Sequence, residues 1–155
     1  MKGELLTVLI GASPFFELEG AMPFAVFIWH FSVLKAFLLS TLGNLLPVIP
    51  LLLFWNFIAE KLADHFYYFN RLFAWLTDMT RKRHSWGFKK WESLALFIFV
   101  ALPFPLTGVW TGTLMALVFG VPLKKAAIMI ILGAIISGII VSFFVQTGSN
   151  LLSVI

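Results

Sequence analysis

The sequence predicts an all-α integral membrane protein made of two inverted repeats, each a re-entrant helical hairpin followed by a transmembrane helix, joined by an amphipathic interfacial helix. Three observations carry this. Of 155 residues, 61% are hydrophobic and 12% charged, with a mean hydropathy of +0.99; a soluble surface needs about twice that charge. The charge-poor sequence falls into long and shorter apolar segments in the same order twice, at residues 5–34 and 36–58 and again at 94–123 and 126–146. Most of the charge lies between them, in residues 59–93. One membrane domain over residues 1–155 is therefore expected, with repeat 1 at about 5–58, a basic connector at 59–93 and repeat 2 at about 94–147.

Residues 5–34 are too many for one untilted span and too few for two, which need about 40 residues. A hairpin that enters and returns to the same side fits, with arms at 5–12 and 23–34, a turn at 14–20 and Lys35 closing it at an interface. Irregular backbone at that depth is tolerated where protein buries it or water reaches it. The turn carries Glu17, Glu19, Gly20 and Pro23 in an otherwise almost uncharged stretch. An ionisable group at the bilayer centre costs roughly 2.5 to 3.5 kcal/mol, and Gly with Pro costs about 4 more in an ordinary helix. Either the expense marks a site, or the stretch lies at the membrane edge and wet carboxylates cap a helix. In an extended turn Glu17 and Glu19 share one face, resist double ionisation and act together as a proton carrier.

Residues 36–58 hold no charge and form the clearest spanning helix. Pro47 and Pro50 each remove a donor and free a carbonyl one turn earlier, beside Asn44, which either bonds a neighbouring helix or contacts a substrate. In the connector, Leu62, Phe66, Phe69, Phe73 and Leu76 recur at helical spacing, giving an amphipathic helix on the membrane surface. Tyr67, Tyr68, Trp75, Trp86 and Trp91 suit the headgroup layer. Arg81, Lys82, Arg83, Lys89 and Lys90 either meet anionic lipid phosphates or form a solvated basic loop that sets orientation.

Residues 94–123 are again broken, at Pro103-Phe104-Pro105-Leu106-Thr107-Gly108-Val109-Trp110-Thr111-Gly112. The entering arm should stop near Leu102, and Thr107 or Thr111 should cap the leaving arm, whose free N–H groups and positive dipole end then point into the membrane. Gly112, Ala116 and Gly120 give that arm a smooth packing face; Gly133, Ser137 and Val141, or Ala134, Gly138 and Ser142, do so on the last span. A shift of 90 residues pairs Leu34-Lys35-Ala36 with Lys124-Lys125-Ala126 and Leu42-Gly43 with Leu132-Gly133. A hairpin returns to its own side while the helix crosses, so the repeats are inverted, a transporter pattern. Of the 11 Lys and Arg residues, nine fall on the side of the 59–93 loop and two, Lys2 and Lys35, on the other. That makes the loop cytoplasmic and the N-terminus external in a multi-pass protein of the cell (inner) membrane.

Several function classes drop out. The basic excess in so apolar a chain reads as loop charge, so no nucleic-acid partner is expected. There is no cysteine for thiolate or disulfide chemistry, and His65 and His84 have no partner at metal spacing, so neither metal nor cofactor is expected. No Ser/His/Asp or His/Glu cluster lies at membrane depth, His30 standing alone among aromatics, so the chain does not read as an enzyme. Lys2 and Glu4 cancel, and no small-residue cleavage site precedes Pro14, so no cleaved signal peptide is expected.

At Glu17-Leu18-Glu19-Gly20-Ala21-Met22-Pro23, together with the 103–112 stretch, the chain resembles the small multidrug export family of prokaryotic membrane proteins. That family is similar to a compact DedA protein, a resemblance that implies two opposed re-entrant hairpins and movement or scrambling of lipids such as polyprenyl phosphates. Where the family pattern reads Glu-Leu-Arg-Gly, Glu19 replaces Arg, and the second hairpin lacks the basic residue expected of DedA proteins; both departures count against an anionic lipid. Two acidic and no basic side chains at depth favour a proton or a cationic amphiphile, with the helix N-termini a weaker anion site. The reading is proton-coupled export or flipping of a small amphiphilic or lipid-like substrate. Its site would draw on Glu17, Glu19, Gly20, Pro23 and Asn44 from the first repeat and Pro103, Pro105, Thr107, Gly108, Trp110, Thr111 and Gly112 from the second. The donors of Thr107, Trp110 and Thr111 would hold the ionised carboxylates. Membrane lipids, protons and the substrate are the expected partners. A homodimer is also expected, because four membrane elements bury little of one another. The alternative is a structural or assembly subunit of a membrane complex, which leaves Glu17 and Glu19 without a use.

Overall fold

The computed structural model describes residues 2–65, 86–104 and 107–152, and every regular element among them is a helix. They are α1 (Lys2–Ala12), α2 (Glu17–Phe27), α3 (Val33–Leu45), α4 (Val48–His65), α5 (Trp86–Ala101), α6 (Val109–Val118) and α7 (Leu123–Leu152). The expected interfacial helix, Arg81, Lys82 and Arg83, and the side chains of Lys89 and Lys90 lie outside the described residues. At its two ends the connector belongs to the flanking helices, α4 continuing to His65 and α5 starting at Trp86.

Two helical stretches, Val33–Ile58 and Leu123–Asn150, are long and apolar enough to cross a membrane. The first contains a break at Leu46-Pro47, where Pro47 has no N–H to offer the Gly43 carbonyl. Its flanks are held by Leu46 N–H to the Leu42 carbonyl at 3.2 Å and Leu51 N–H to the Pro47 carbonyl at 2.8 Å. Pro50 falls in the first turn of α4, where its missing N–H costs little. Helices α1, α2 and α6, of 11, 11 and 10 residues, are only about 15 to 17 Å long and cannot cross a hydrocarbon core of about 30 Å.

The first hairpin is tighter than its sequence suggests. Its turn is confined to Ser13–Phe16, where Ser13 Oγ donates to the Ile10 carbonyl at 2.7 Å, and Glu17 already begins α2. The second arm ends at Phe27 rather than near Leu34, because His30 at φ 53° reverses the chain and Ser32 caps α3 by accepting from the Lys35 N–H. Leu34 and Lys35 thus open the long segment. Lys35 Nζ lies 2.6 Å from Glu4 Oε1, so the start of α1 and the start of α3 are at one end, and α1–α2 leaves that end and returns to it.

Two apolar clusters hold the helices together. Val48 and Leu52 of α4, Leu96 and Val100 of α5, Val109 and Ala116 of α6 and Ala126, Ile130 and Ala134 of α7 form one. Leu18, Met22 and Ala25 of α2, Ala36 of α3 and Val141 and Val145 of α7 form the other. The start of α3 therefore packs on the end of α7, and α4 packs on the start of α7, which makes the two long segments antiparallel. Helix α1 packs on α3 as α5 does on α7. A Cβ on Gly43 would overlap the Val8 carbonyl, and one on Gly133 would lie 3.0 Å from the Phe97 carbonyl, so a close approach recurs about 90 residues apart. Gly112 and Ala116 are buried as expected of a packing face. Gly120 is not part of it: at φ 66° it ends α6, its N–H bonding the Leu117 carbonyl and that of Val121 the Ala116 carbonyl, a left-handed cap that needs glycine.

Candidate functional site at the hairpin tips

Helix α5 stops at Ala101, two residues before Pro103, as the proline requires. Thr107 braces the following loop, its Oγ1 donating toward the Leu102 and Phe104 carbonyls at 2.7 and 2.9 Å and accepting from the Phe104 N–H at 3.2 Å. Thr111 Oγ1 donates to the Gly108 carbonyl at 3.3 Å within its own helix. The N-cap residue of α6 is Gly108, which offers no side-chain oxygen, so the first N–H groups of α6 need a partner from elsewhere.

Glu17 supplies it. Its Oε2 accepts from the Val109 N–H at 2.7 Å, 92 residues along the chain, in a buried place. A Cβ on Gly108 would overlap that same oxygen, so only glycine lets the carboxylate come so close. Glu17 is held at φ 45°, in the left-handed region that a residue with a Cβ rarely adopts. In return Trp110 Nε1 donates to the Ala12 carbonyl at the end of α1, at 3.2 Å. Each hairpin tip thus satisfies a helix end of the other: a carboxylate on the positive end of α6 and an indole on the negative end of α1.

Glu19 follows a different course. Wound into the first turn of α2, it reaches toward α7, while still lining one cavity with Glu17. Its Oε1 accepts from Ser137 Oγ at 2.9 Å. Ser137 is the 15th of the 30 residues of α7, roughly 21 Å from either helix end. The carboxylates therefore sit opposite the middle of the longest apolar helix, not near its ends.

Two cavities meet at Glu19. One, of about 300 Å³, lies at the tips and is lined by Pro14, Phe15, Phe16, Glu17, Glu19, Gly20, Phe104 and Gly108. The other, of about 370 Å³, runs between α2 and the second half of α7 and is lined by Glu19, Pro23, Phe27, Pro103, Val141, Phe144, Val145 and Gly148. The hydroxyls of Thr107 and Thr111 and the Trp110 indole, expected to hold the carboxylates, are engaged with main-chain carbonyls instead, and the backbone N–H of Val109 takes their place. Gly112 packs on Val100. Asn44 is buried on α3 beside Gly11 of α1, away from both cavities, and its Oδ1, like Ser40 Oγ and Thr41 Oγ1, has no hydrogen-bond partner among the described residues. Pro105 lies outside the described residues.

Phe104, Phe27, Phe144 and Ser137 are site residues that the sequence did not single out for the site. Ser137 was visible only as one member of a small-residue face. Among the described residues no group of three His, Cys, Asp or Glu side chains gathers as a metal site would require. Residues 17–140 match the family model described as "Putative small multi-drug export protein", a stretch that opens on Glu17 and contains the second tip and Ser137. No curated protein and no solved structure matches the chain.

Proposed function

The chain belongs to the small multi-drug export protein family, and from that premise we propose a proton-coupled transporter that exports or flips a small amphiphilic or lipid-like substrate through the site between its hairpin tips. The observation that carries this is the buried bond from Glu17 to the Val109 N–H beside a cavity halfway along a spanning helix. A lipid-facing wall gains nothing from a carboxylate there. Short helices, the return of α1–α2 to its starting end and antiparallel long segments support re-entrant hairpins in inverted repeats that meet near the bilayer midplane. The likeness to DedA proteins, the inner-membrane location with a cytoplasmic 59–93 loop, and a homodimer complete the proposal.

In the closed arrangement ionised Glu17 holds the two tips together. A proton on that carboxyl removes the charge facing the α6 N-terminus and weakens a charge-assisted bond worth roughly 1.5 to 3 kcal/mol. A change of about 2 kcal/mol shifts a two-state equilibrium some 30-fold, enough for one proton to part the tips. Glu17→Gln keeps the shape and fixes the neutral state, so it should abolish transport driven by a pH gradient while leaving expression intact. The reading is wrong if the Glu17→Gln, Glu19→Gln double variant transports normally in reconstituted vesicles under a pH gradient. A purely structural subunit gives no use to the two cavities that share Glu19.

A further inference from the structure

The crevice between α2 and α7 is chemically unlike the tip cavity. Among the described residues that line it, Glu19 is the one ionisable group; the others are proline, glycine, valine and phenylalanine. Ser137 occupies Oε1 with a single hydroxyl, and among the described residues no Lys, Arg or His borders the crevice to neutralise the carboxylate. A carboxylate in so apolar a place needs a counter-charge. Phe144, 65% exposed, stands at the open side, so the crevice faces the lipid laterally.

Resting on the transport reading above, we infer that this crevice is the substrate site and that it takes a lipophilic organic monocation, its charge against Glu19 and its apolar body between Phe27 and Phe144. One carboxylate selects one positive charge. The volume of about 370 Å³ is at the lower end of the range for small-molecule pockets, which runs from roughly 300 to 1,000 Å³, and so fits a few rings or short alkyl arms. The faces of Phe27 and Phe144 add attraction for a cation at close range. Glu17 has no part in this contact, since its carboxylate is committed to α6 and does not border the crevice. The two carboxylates thus divide the work: Glu17 joins the tips and Glu19 holds the substrate.

The test is equilibrium dialysis of radiolabelled tetraphenylphosphonium against the full chain in detergent, with no gradient imposed, so that binding is read independently of transport. Tetraphenylborate, of the same shape and opposite charge, is the control. Two variants act on the crevice by different means. Glu19→Gln removes the charge. Gly148→Trp fills the space, and among the described residues the one atom within 4 Å of a Cβ there is Phe27 Cζ at 3.8 Å, so the first side-chain carbon meets no clash. Binding of the phosphonium to the unaltered protein should weaken at least about tenfold in each variant and have no counterpart with the borate. The inference is overturned if the phosphonium does not bind, if both crevice variants bind it as well as the unaltered protein, or if the borate binds equally. Any of these outcomes leaves proton-driven transport of a different substrate standing, whereas cation binding without pH-driven transport removes the proposed function and keeps the site.

Discussion

Gly108→Ala isolates the contact between the hairpin tips. The added methyl would overlap Glu17 Oε2 and lie 2.8 Å from Oε1, so the carboxylate must leave the Val109 N–H. That forfeits a charge-assisted bond of roughly 1.5 to 3 kcal/mol and a helix-terminus interaction of about 0.3 to 2 kcal/mol in a buried setting. The expected loss is about 2 to 5 kcal/mol, a large part of an ordinary folding stability of roughly 5 to 15 kcal/mol. Denaturant unfolding of the purified protein in detergent measures it, and a double-mutant cycle identifies its source. With Glu17 replaced by Ala the methyl has room, and the φ of −78° at Gly108 is open to any L residue. In that background Gly108→Ala should then cost less than about 1 kcal/mol, offset in part by the stiffer unfolded chain. Equal losses in the two backgrounds would refute the reasoning, because the cost would then come from the backbone at 108 and not from Glu17.

Two further outcomes follow from the same geometry. Gly43→Ala puts a methyl into the Val8 carbonyl, a backbone atom that cannot rotate aside, whereas at Gly133 the nearest atoms stand at 2.9 and 3.0 Å; thermal unfolding should rank the Gly43 variant well below the Gly133 one. At the outer end, the Lys35 ammonium holds the Glu4 carboxyl below its usual range, first through their hydrogen bond and then through charge. A carboxyl lowered on folding stabilises fully above the unfolded value of about 4.3 and loses that contribution as pH falls through the folded value. The stability difference between the unaltered protein and Lys35→Gln should therefore be present near neutrality and close on acidification; a gap that widens toward low pH would contradict the pairing.

The breaks in the chain were legible because they rest on local chemistry. Pro103 ends α5 at Ala101 in any surroundings, and uncharged stretches of spanning length announce α3–α4 and α7. The partners of the broken ends were not legible. That Glu17 caps α6 depends on a fold that closes 92 residues, and no local pattern encodes the match. Thr107 carries a good capping side chain, yet it precedes the actual N-cap by one residue and spends its hydroxyl on the loop. The same limit explains Gly120 and Ser137. Small residues four apart suggest a packing face, but a positive φ turns one into a helix stop, and a buried acid turns the other into a ligand.

The two tips are complementary rather than equivalent, and that asymmetry bears on the charge that the proposed site would take. The N-termini of α2 and α6 both end at the tip cavity, and each carries roughly half an elementary positive charge. Without acids, two positive ends would face each other in a poorly solvated place. Glu17 and Glu19 bring two negative charges to roughly one positive, and the negative C-terminal ends of α1 and α5 offset none of it, so the tips are left with a negative excess. Glu17 already answers the α6 terminus, whereas Glu19 has the Ser137 hydroxyl beside it and an apolar crevice on its open side. Under the proposed function the proton acts at Glu17 and the organic monocation at Glu19, two carboxyls that line one cavity. On that proposal a proton at one carboxyl and a cation at the other would each reduce the same negative excess, so each would weaken the hold on the other, which is the physical requirement for exchanging a proton against a substrate.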